Sequence, residues 1–344
     1  MQMRKLFFVM LFSVLFFTAC NNGNAAQEQN VVPDELKIED FFPLNENAKY
    51  TYAGEGNEFA SYTVFIDYIN GSRVQTRTNN GATELVRVLE VKDGELIELI
   101  SRGETYFREN FTNNDYSGGK VLLKEPLKEG NSWSSGNDST STITGISKQI
   151  VTPQGNMDAI EVTTESHQGT TIAYYAKNTG LVKTVDKGEG YEISSVLSNI
   201  ENNSPLIQTI TLFYPNTDGI HLNTVDVQVS FNTNDEPKDV IEKTVKDLSV
   251  NEVLSKNAQI NKLYFNEEEN SVHVDLSKEF ATEMNVGAGF ESLILQSVTN
   301  TLGSYYEVQN VYLTIDGGPY ESGHVILEEN EPLKVDYSNI KAAE

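Results

Sequence analysis

Apolar and polar residues alternate in short runs through positions 34–204. The runs Tyr62-Thr63-Val64-Phe65-Ile66, Glu84-Leu85-Val86-Arg87-Val88-Leu89-Glu90-Val91 and Asp158-Ala159-Ile160-Glu161-Val162 each repeat with period two. That is the period at which one face of a strand turns to the core and the other to water. Turn residues divide the runs at Asn70-Gly71, Asn80-Gly81, Asp93-Gly94, Gly118-Gly119, Gln154-Gly155 and Asn178-Thr179-Gly180. They supply the positive φ angles that tight hairpins need. No helical period is sustained here. The pattern predicts an all-β N-terminal domain, an antiparallel curled sheet or open barrel over 34–204. Trp133 is its expected core anchor, since a large indole is mostly buried in such sheets.

The period changes after Pro205. Strands are predicted at Gln208–Tyr214 and Val225–Phe231. A helix follows, with Asn234 or Asp235 as its N-cap and Pro237 in its first turn. Val240, Ile241, Val245 and Leu248 share one face of it. A hairpin is expected between Leu263–Phe265 and Val272–Leu276. Phe290, Leu293, Ile294, Ser297, Val298, Thr301 and Leu302 then recur at helical spacing, with Gly303 as the expected stop. A last strand, Val308–Ile315, ends in Asp316-Gly317-Gly318. The order predicts a C-terminal α+β sandwich over 205–336, with its helices on one face of a mixed sheet and residues 337–344 as a tail.

The first thirty positions follow neither pattern. Arg4 and Lys5 precede an apolar run, Leu6–Phe17, broken only by Ser13. The run is shorter than the roughly 20 residues a membrane span needs, and has the length of a secretory signal core. Thr18-Ala19 supplies small residues, and the only cysteine of the chain, Cys20, follows at once. This resembles a bacterial lipoprotein signal, residues 1–19, although Phe17 stands where that pattern prefers Leu. The resemblance implies cleavage before Cys20 and a diacylglyceryl group on its sulfur. Two acyl chains suffice for stable attachment, where one binds only marginally. Residues 20–33 are then a flexible tether from the lipidated Cys20, and the membrane is a partner through that anchor.

The net charge of −25 disfavours nucleic acid as a partner, since both surfaces would be negative. The chemistry-bearing residues are dispersed. His167, His221, His273 and His324 form no pair at metal-ligand spacing, and His273 alternates with Val272 and Val274 on a strand face. Asp275 and Ser277 are expected to bond backbone amides at a strand end. Glu267-Glu268-Glu269 lacks the spaced oxygens and central Gly of a calcium loop, and so reads as a solvated turn. Gly287-Ala288-Gly289 precedes the second helix without a basic neighbour to fix an anion. No catalytic residue, metal or cofactor is expected, and the chain reads as a non-enzyme.

Two further resemblances bear on the folded part. Phe41-Phe42-Pro43-Leu44 with Lys49-Tyr50-Thr51-Tyr52, Leu127–Trp133, and Tyr174–Lys183 resemble phrases of a loose class of bacterial lipoprotein β domains. Further on, Asn270–Phe280 is similar to the "VDLS.eF" phrase of the GerMN family. Gln296–Leu302 is similar to its "nTL" helix, Val308–Gly317 to its "V..V.l.vdG" strand, and Thr211–Tyr214 to its opening strand. The family takes its name from sporulation and germination proteins of endospore formers. Its fold is similar to ring-building modules of secretion assemblies. The resemblance implies a membrane-anchored surface protein that contacts other envelope or sporulation proteins and allows self-association. Well-known members carry two modules in tandem, where this chain has one behind a β domain. The expected contact surfaces are the exposed faces of the two helices and the Asp316-Gly317-Gly318 loop. The alternative reading is a β domain that holds a lipid or other apolar ligand.

Overall fold

Twelve strands form one antiparallel sheet in a computed structural model that describes residues 36–136, 138–248 and 253–342. They are β1 (Lys49–Glu55), β2 (Tyr62–Asn70), β3 (Arg73–Asn79), β4 (Glu84–Lys92), β5 (Glu95–Gly103), β6 (Lys120–Lys124), β7 (Ser132–Gly136), β8 (Ser139–Thr152), β9 (Gly155–Ser166), β10 (Gly169–Ala176), β11 (Gly180–Gly188) and β12 (Tyr191–Glu201). Sequential hairpins run from β6 back to β1 and from β12 down to β7, and the β1–β12 pair joins the two series. Bulges at Thr51/Tyr52, Ile66/Tyr68, Val88/Leu89 and Tyr174/Tyr175 let so long a sheet curl. The curl brings its two end strands, β6 and β7, together. The Trp133 indole N–H donates across that seam to the Val121 carbonyl at 3.0 Å, and Asn131 donates to the Lys124 carbonyl at 2.9 Å. Trp133 is therefore a buried anchor, and it also closes the edge. Ile38, Phe41, Leu96, Leu123, Ile143 and Ile160 pack with it in the interior.

The C-terminal part is α+β. It comprises β13 (Leu206–Pro215), β14 (Leu222–Phe231), α1 (Pro237–Asp247), β15 (Ile260–Asn266), β16 (Ser271–Leu276), α2 (Glu279–Thr282), α3 (Ala288–Tyr306), β17 (Asn310–Ile315), β18 (Gly318–Pro319), β19 (Leu333–Lys334) and β20 (Ile340–Ala342). Three details differ from the expectation. The N-cap of α1 is Glu236, because Asn234 instead accepts the Ile69 amide and Asp235 the Asn232 amide. The strands form two sheets, β13-β14-β20 and β15-β16-β17 with β18 and β19, where a single mixed one was expected. Residues 337–342 do not trail away, since β20 pairs parallel to the start of β14.

Helix α3 also passes through Gly303 and ends at Tyr306, with the left-handed Glu307, φ 57°, as its C-cap. Gly303 is needed for a different reason. A Cβ there would sit 2.2 Å from Val335 Cγ2, so the glycine lets the 331–337 segment cross the helix closely. Asn300 fixes the same crossing by donating to the Asp336 carbonyl and accepting its amide, at 2.7 and 3.0 Å. Consequently α3 is buried on nearly all sides from Ser297 to Gly303. Its hydroxyls are satisfied within the helix, Ser297 on the Leu293 carbonyl and Thr299 on the Leu295 carbonyl. Thr301 accepts the Phe213 amide of β13.

A charged cluster joins the two parts. Ile66 pairs with Thr76 and Tyr68 with Gln75, so Asp67 is the extra residue of a bulge in β2, and it and Tyr68 are both buried. Asp67 faces two buried guanidiniums, Arg77 at 3.1 Å and Arg108 at 3.3 Å. Arg77 also reaches Glu84 at 2.8 Å and the Phe107 carbonyl at 2.8 Å. Arg108 donates to the carbonyls of Asn232 and Asp235 in the α+β part and lies over the Tyr68 and Phe231 rings. Its own amide donates to the Tyr305 hydroxyl of α3 at 3.0 Å. Val86 and Val88 of β4 and Phe107 share one core cluster with α1, α3 and the five-stranded sheet. Residues 36–342 thus pack as one unit.

Candidate interaction face

The outward face of β15-β16-β17 is built by register. Val272, Val274, Leu276, Val311 and Leu313 point into the core with α3, so the alternate residues point away. Pairing places Tyr264 opposite His273, and His273 beside Tyr312. The three rings stack across the strands. Tyr264 and His273 lie 5.0 Å apart with 8° between planes, and His273 and Tyr312 lie 4.6 Å apart with 14°. Such pairs contribute about 0.5–1.5 kcal/mol beyond burial when enclosed. Here Tyr264 is 45% exposed, while His273 and Tyr312 are half-buried. Glu269 Oε2 sits 3.2 Å and Ser271 Oγ 3.3 Å from His273 Nε2, fixing the ring's tilt. The face is aromatic, with Glu269 at its rim.

One pair along, Asp275 organises the end of the sheet. Its carboxylate accepts from Thr314 Oγ1 and the Gly317 amide, both at 2.7 Å, and from Asn261 at 3.0 Å. Partial burial works against its ionisation, yet these three donors and nearby Lys262 hold the carboxyl below its ordinary range. Asp275 therefore ties the Asp316-Gly317-Gly318 turn down. Ser277 exchanges bonds with the Gln259 backbone. Asp275 bonds the end of a neighbouring strand and the turn after it, while Ser277 also accepts the Phe280 amide of the turn that follows it, at 3.0 Å.

Other expected features fall as follows. Cys20 lies outside the described residues. His167, His221 and His324 lie on other elements than His273, on the β9–β10 turn, before β14 and after β18. Among the described residues no group of three or more His, Cys, Asp or Glu side chains converges to hold a metal. Glu267 pairs with Arg102 at 3.4 Å, and Asn266 accepts the Glu268 and Glu269 amides, so that acidic run is a turn. At the start of α3, after its N-cap Gly287, the chain supplies its own acidic side chain. Glu291 in the first turn is buried and accepts from Tyr320 at 2.7 Å and from Ser322. Because α3 is enclosed, it offers no exposed face for contact beyond its first turns, which corrects the expectation. Helix α1 does offer one, along Asp239, Lys243 and Asp247.

The sequence did not reveal the ladder. Tyrosines stand at outward positions of β15 and β17, but only strand register shows that they flank His273. It did not reveal Glu109 either. This side chain follows Arg108 in the junction and accepts the Phe265 amide at 2.9 Å. Burial raises its carboxyl from the ordinary 4.5 to about 7, the Phe265 amide opposes the rise, and Glu236 adds to it.

Residues 211–321 match the profile of the Germane family, described as sporulation and spore germination; this is less than half of the chain. That region holds the aromatic ladder, Asp275 and α3. No curated protein matches the chain. Several solved structures are similar. One is an exported protein with a YmcC-like fold from Bacteroides fragilis, at 13% identity and TM-score 0.29, covering 47% of this chain and 99% of that one. Another is a protein described as a lipoprotein from Clostridium perfringens, at 13% identity and TM-score 0.24, covering 38% and 87%. A third holds the tandem GerMN domains of the sporulation protein GerM from Bacillus subtilis, at 18% identity and TM-score 0.27, covering 41% and 48%.

Proposed function

We propose that this protein is a lipid-anchored scaffold on the outer face of the cell membrane, acting by protein–protein contact in sporulation or spore germination. The observation that carries the reading is the Tyr264–His273–Tyr312 ladder, exposed at Tyr264 and half-buried at the other two rings, on the module matched by the sporulation and germination family. Stacked aromatic side chains that stay partly exposed offer large contact area at low entropic cost, the property of interface anchors. The Cys20 signal supports the anchor, and residues 20–33 supply the reach. Scaffolding also fits the rigid joint at Asp67, which holds the β part and the module in one orientation.

The test uses the producing cells. A photo-crosslinking residue at position 264 is expected to trap a discrete partner, whereas one at exposed Val151 on the β sheet is not. The paired change Tyr264→Ala/Tyr312→Ala is expected to lower spore yield or germination while the purified variant keeps its fold. Cys20→Ser is expected to move the protein from the membrane to the medium. An unchanged spore phenotype, or identical crosslinks from 264 and 151, would refute the contact reading. Retention of Cys20→Ser in the membrane would refute the anchor.

A further inference from the structure

The β13-β14-β20 sheet has an edge along most of which no strand pairs among the described residues. Strand β14 pairs with β13 along its whole length in unbroken register, but with β20 only over Leu222–Thr224. From Val225 to Phe231 its far edge has no strand beside it among the described residues. Proteins usually blunt such edges with proline, lysine, a bulge or a covering element. This stretch, Val225-Asp226-Val227-Gln228-Val229-Ser230-Phe231, has no proline, no lysine and no bulge. Its one charge, Asp226, is tied to Thr211 on β13 at 2.7 Å.

Helix α1 returns alongside that edge without filling it. Between them lies an open groove of about 640 Å³. Four consecutive residues of β14, Val227–Ser230, line it. Successive side chains point to opposite faces of a strand, so only a groove approached edge-on meets all four. The opposite wall includes the exposed stripe Asp239, Lys243 and Asp247, and Asp235 and Glu236 also line the groove. The lysine is already paired with Asp247. Asp239 is likewise paired with Lys238 at 2.8 Å, so the excess negative charge of the groove comes from Asp235 and Glu236, and the chain as a whole is acidic.

We infer that this groove takes an extended, lysine- or arginine-bearing segment of a partner protein, added to β14 as a further strand. The inference deepens the contact reading above and rests on it. Backbone pairing along the β14 edge supplies the binding, and the excess negative charge of the groove selects the sign of charge. A second copy of this chain fits less well, because pairing two β14 edges would set two acidic grooves against each other.

The test uses the full mature chain and a short blocked peptide alternating lysine with valine and threonine. Binding is followed by calorimetry and by hydrogen exchange of the 225–231 amides. The peptide is expected to bind and protect those amides. A version N-methylated on alternate residues along one edge should bind, and the version methylated along the other edge should not. Asp239→Lys/Asp247→Lys reverses two exposed charges without touching the core, and is expected to weaken binding roughly tenfold at low salt. A glutamate version of the peptide should not bind. Equal binding of both N-methylated forms, or binding without protection of 225–231, would overturn the proposal. So would protection in the absence of peptide: independent of concentration it would mean that the chain covers its own edge, and rising with concentration it would mean a second copy. If the groove fails but position 264 still traps a partner, the contact reading stands alone. If both fail, that reading falls as well.

Discussion

Replacing Glu109 by Gln should make the protein more stable at alkaline pH and leave it unchanged in acid. Glu109 is buried at the junction, with one oxygen accepting the Phe265 amide. Its pKa rises from 4.5 to about 7, chiefly because burial penalises the charge. A carboxyl that binds its proton more tightly when folded destabilises the fold as it ionises. The unfolded chain releases that proton near pH 4.5 and the folded chain only near 7. Stability from this group is therefore full below about 4.5, falls across the interval, and stays low above 7. At about 1.4 kcal/mol per pKa unit the shift corresponds to roughly 3 kcal/mol. Glutamine keeps the acceptor for Phe265 and cannot ionise. We expect Glu109→Gln to gain about 2–3 kcal/mol at pH 8 and nothing at pH 4. Urea titrations from pH 4 to 8 measure it, with fluorescence of the only tryptophan, Trp133, buried at the seam, as the probe. Taking variant minus parent removes the repulsion of the other acidic groups, which is common to both. A difference that is zero at pH 8, or the same at pH 4 and pH 8, would refute the reasoning.

Two further predictions test the elements that hold the fold together. Asp67→Ala leaves the Arg77 and Arg108 guanidiniums without their shared carboxylate in a buried site, and should cost about 3–5 kcal/mol in the same titrations. Asp67→Asn, which keeps an acceptor, should cost less. Gly303→Ala gains about 1 kcal/mol in a helix by propensity alone; contact with Val335 reverses the sign, so thermal melting should show a lower midpoint, and Gly303→Ala with Val335→Ala should recover part of it.

Much of this protein was legible along the chain. The two-residue period in 62–66, 84–91 and 158–162 foretold the strands, and the Gly- and Asn-bearing turns foretold the hairpins. Both are local matters of side-chain direction and backbone φ. The change of period after 205 likewise marked the α+β module, and its phrases pointed to the family that matches 211–321. Cys20 and its apolar approach stand on sequence alone.

What the sequence could not hold is anything made by two distant segments meeting. Gly303 looks like a helix stop until Val335 is known to cross it. Asp67 continues an alternating run until the bulge turns it inward onto Arg77 and Arg108, the second of which lies beyond three further strands. Tyr264, His273 and Tyr312 are separate outward residues until register lays them in one stack. The edge of β14 beyond Thr224 has no strand paired to it among the described residues, a matter of which segments meet and not of any local pattern. Periodicity states which face of an element is apolar. Which element it meets, and which edge stays free, is decided by packing the whole chain.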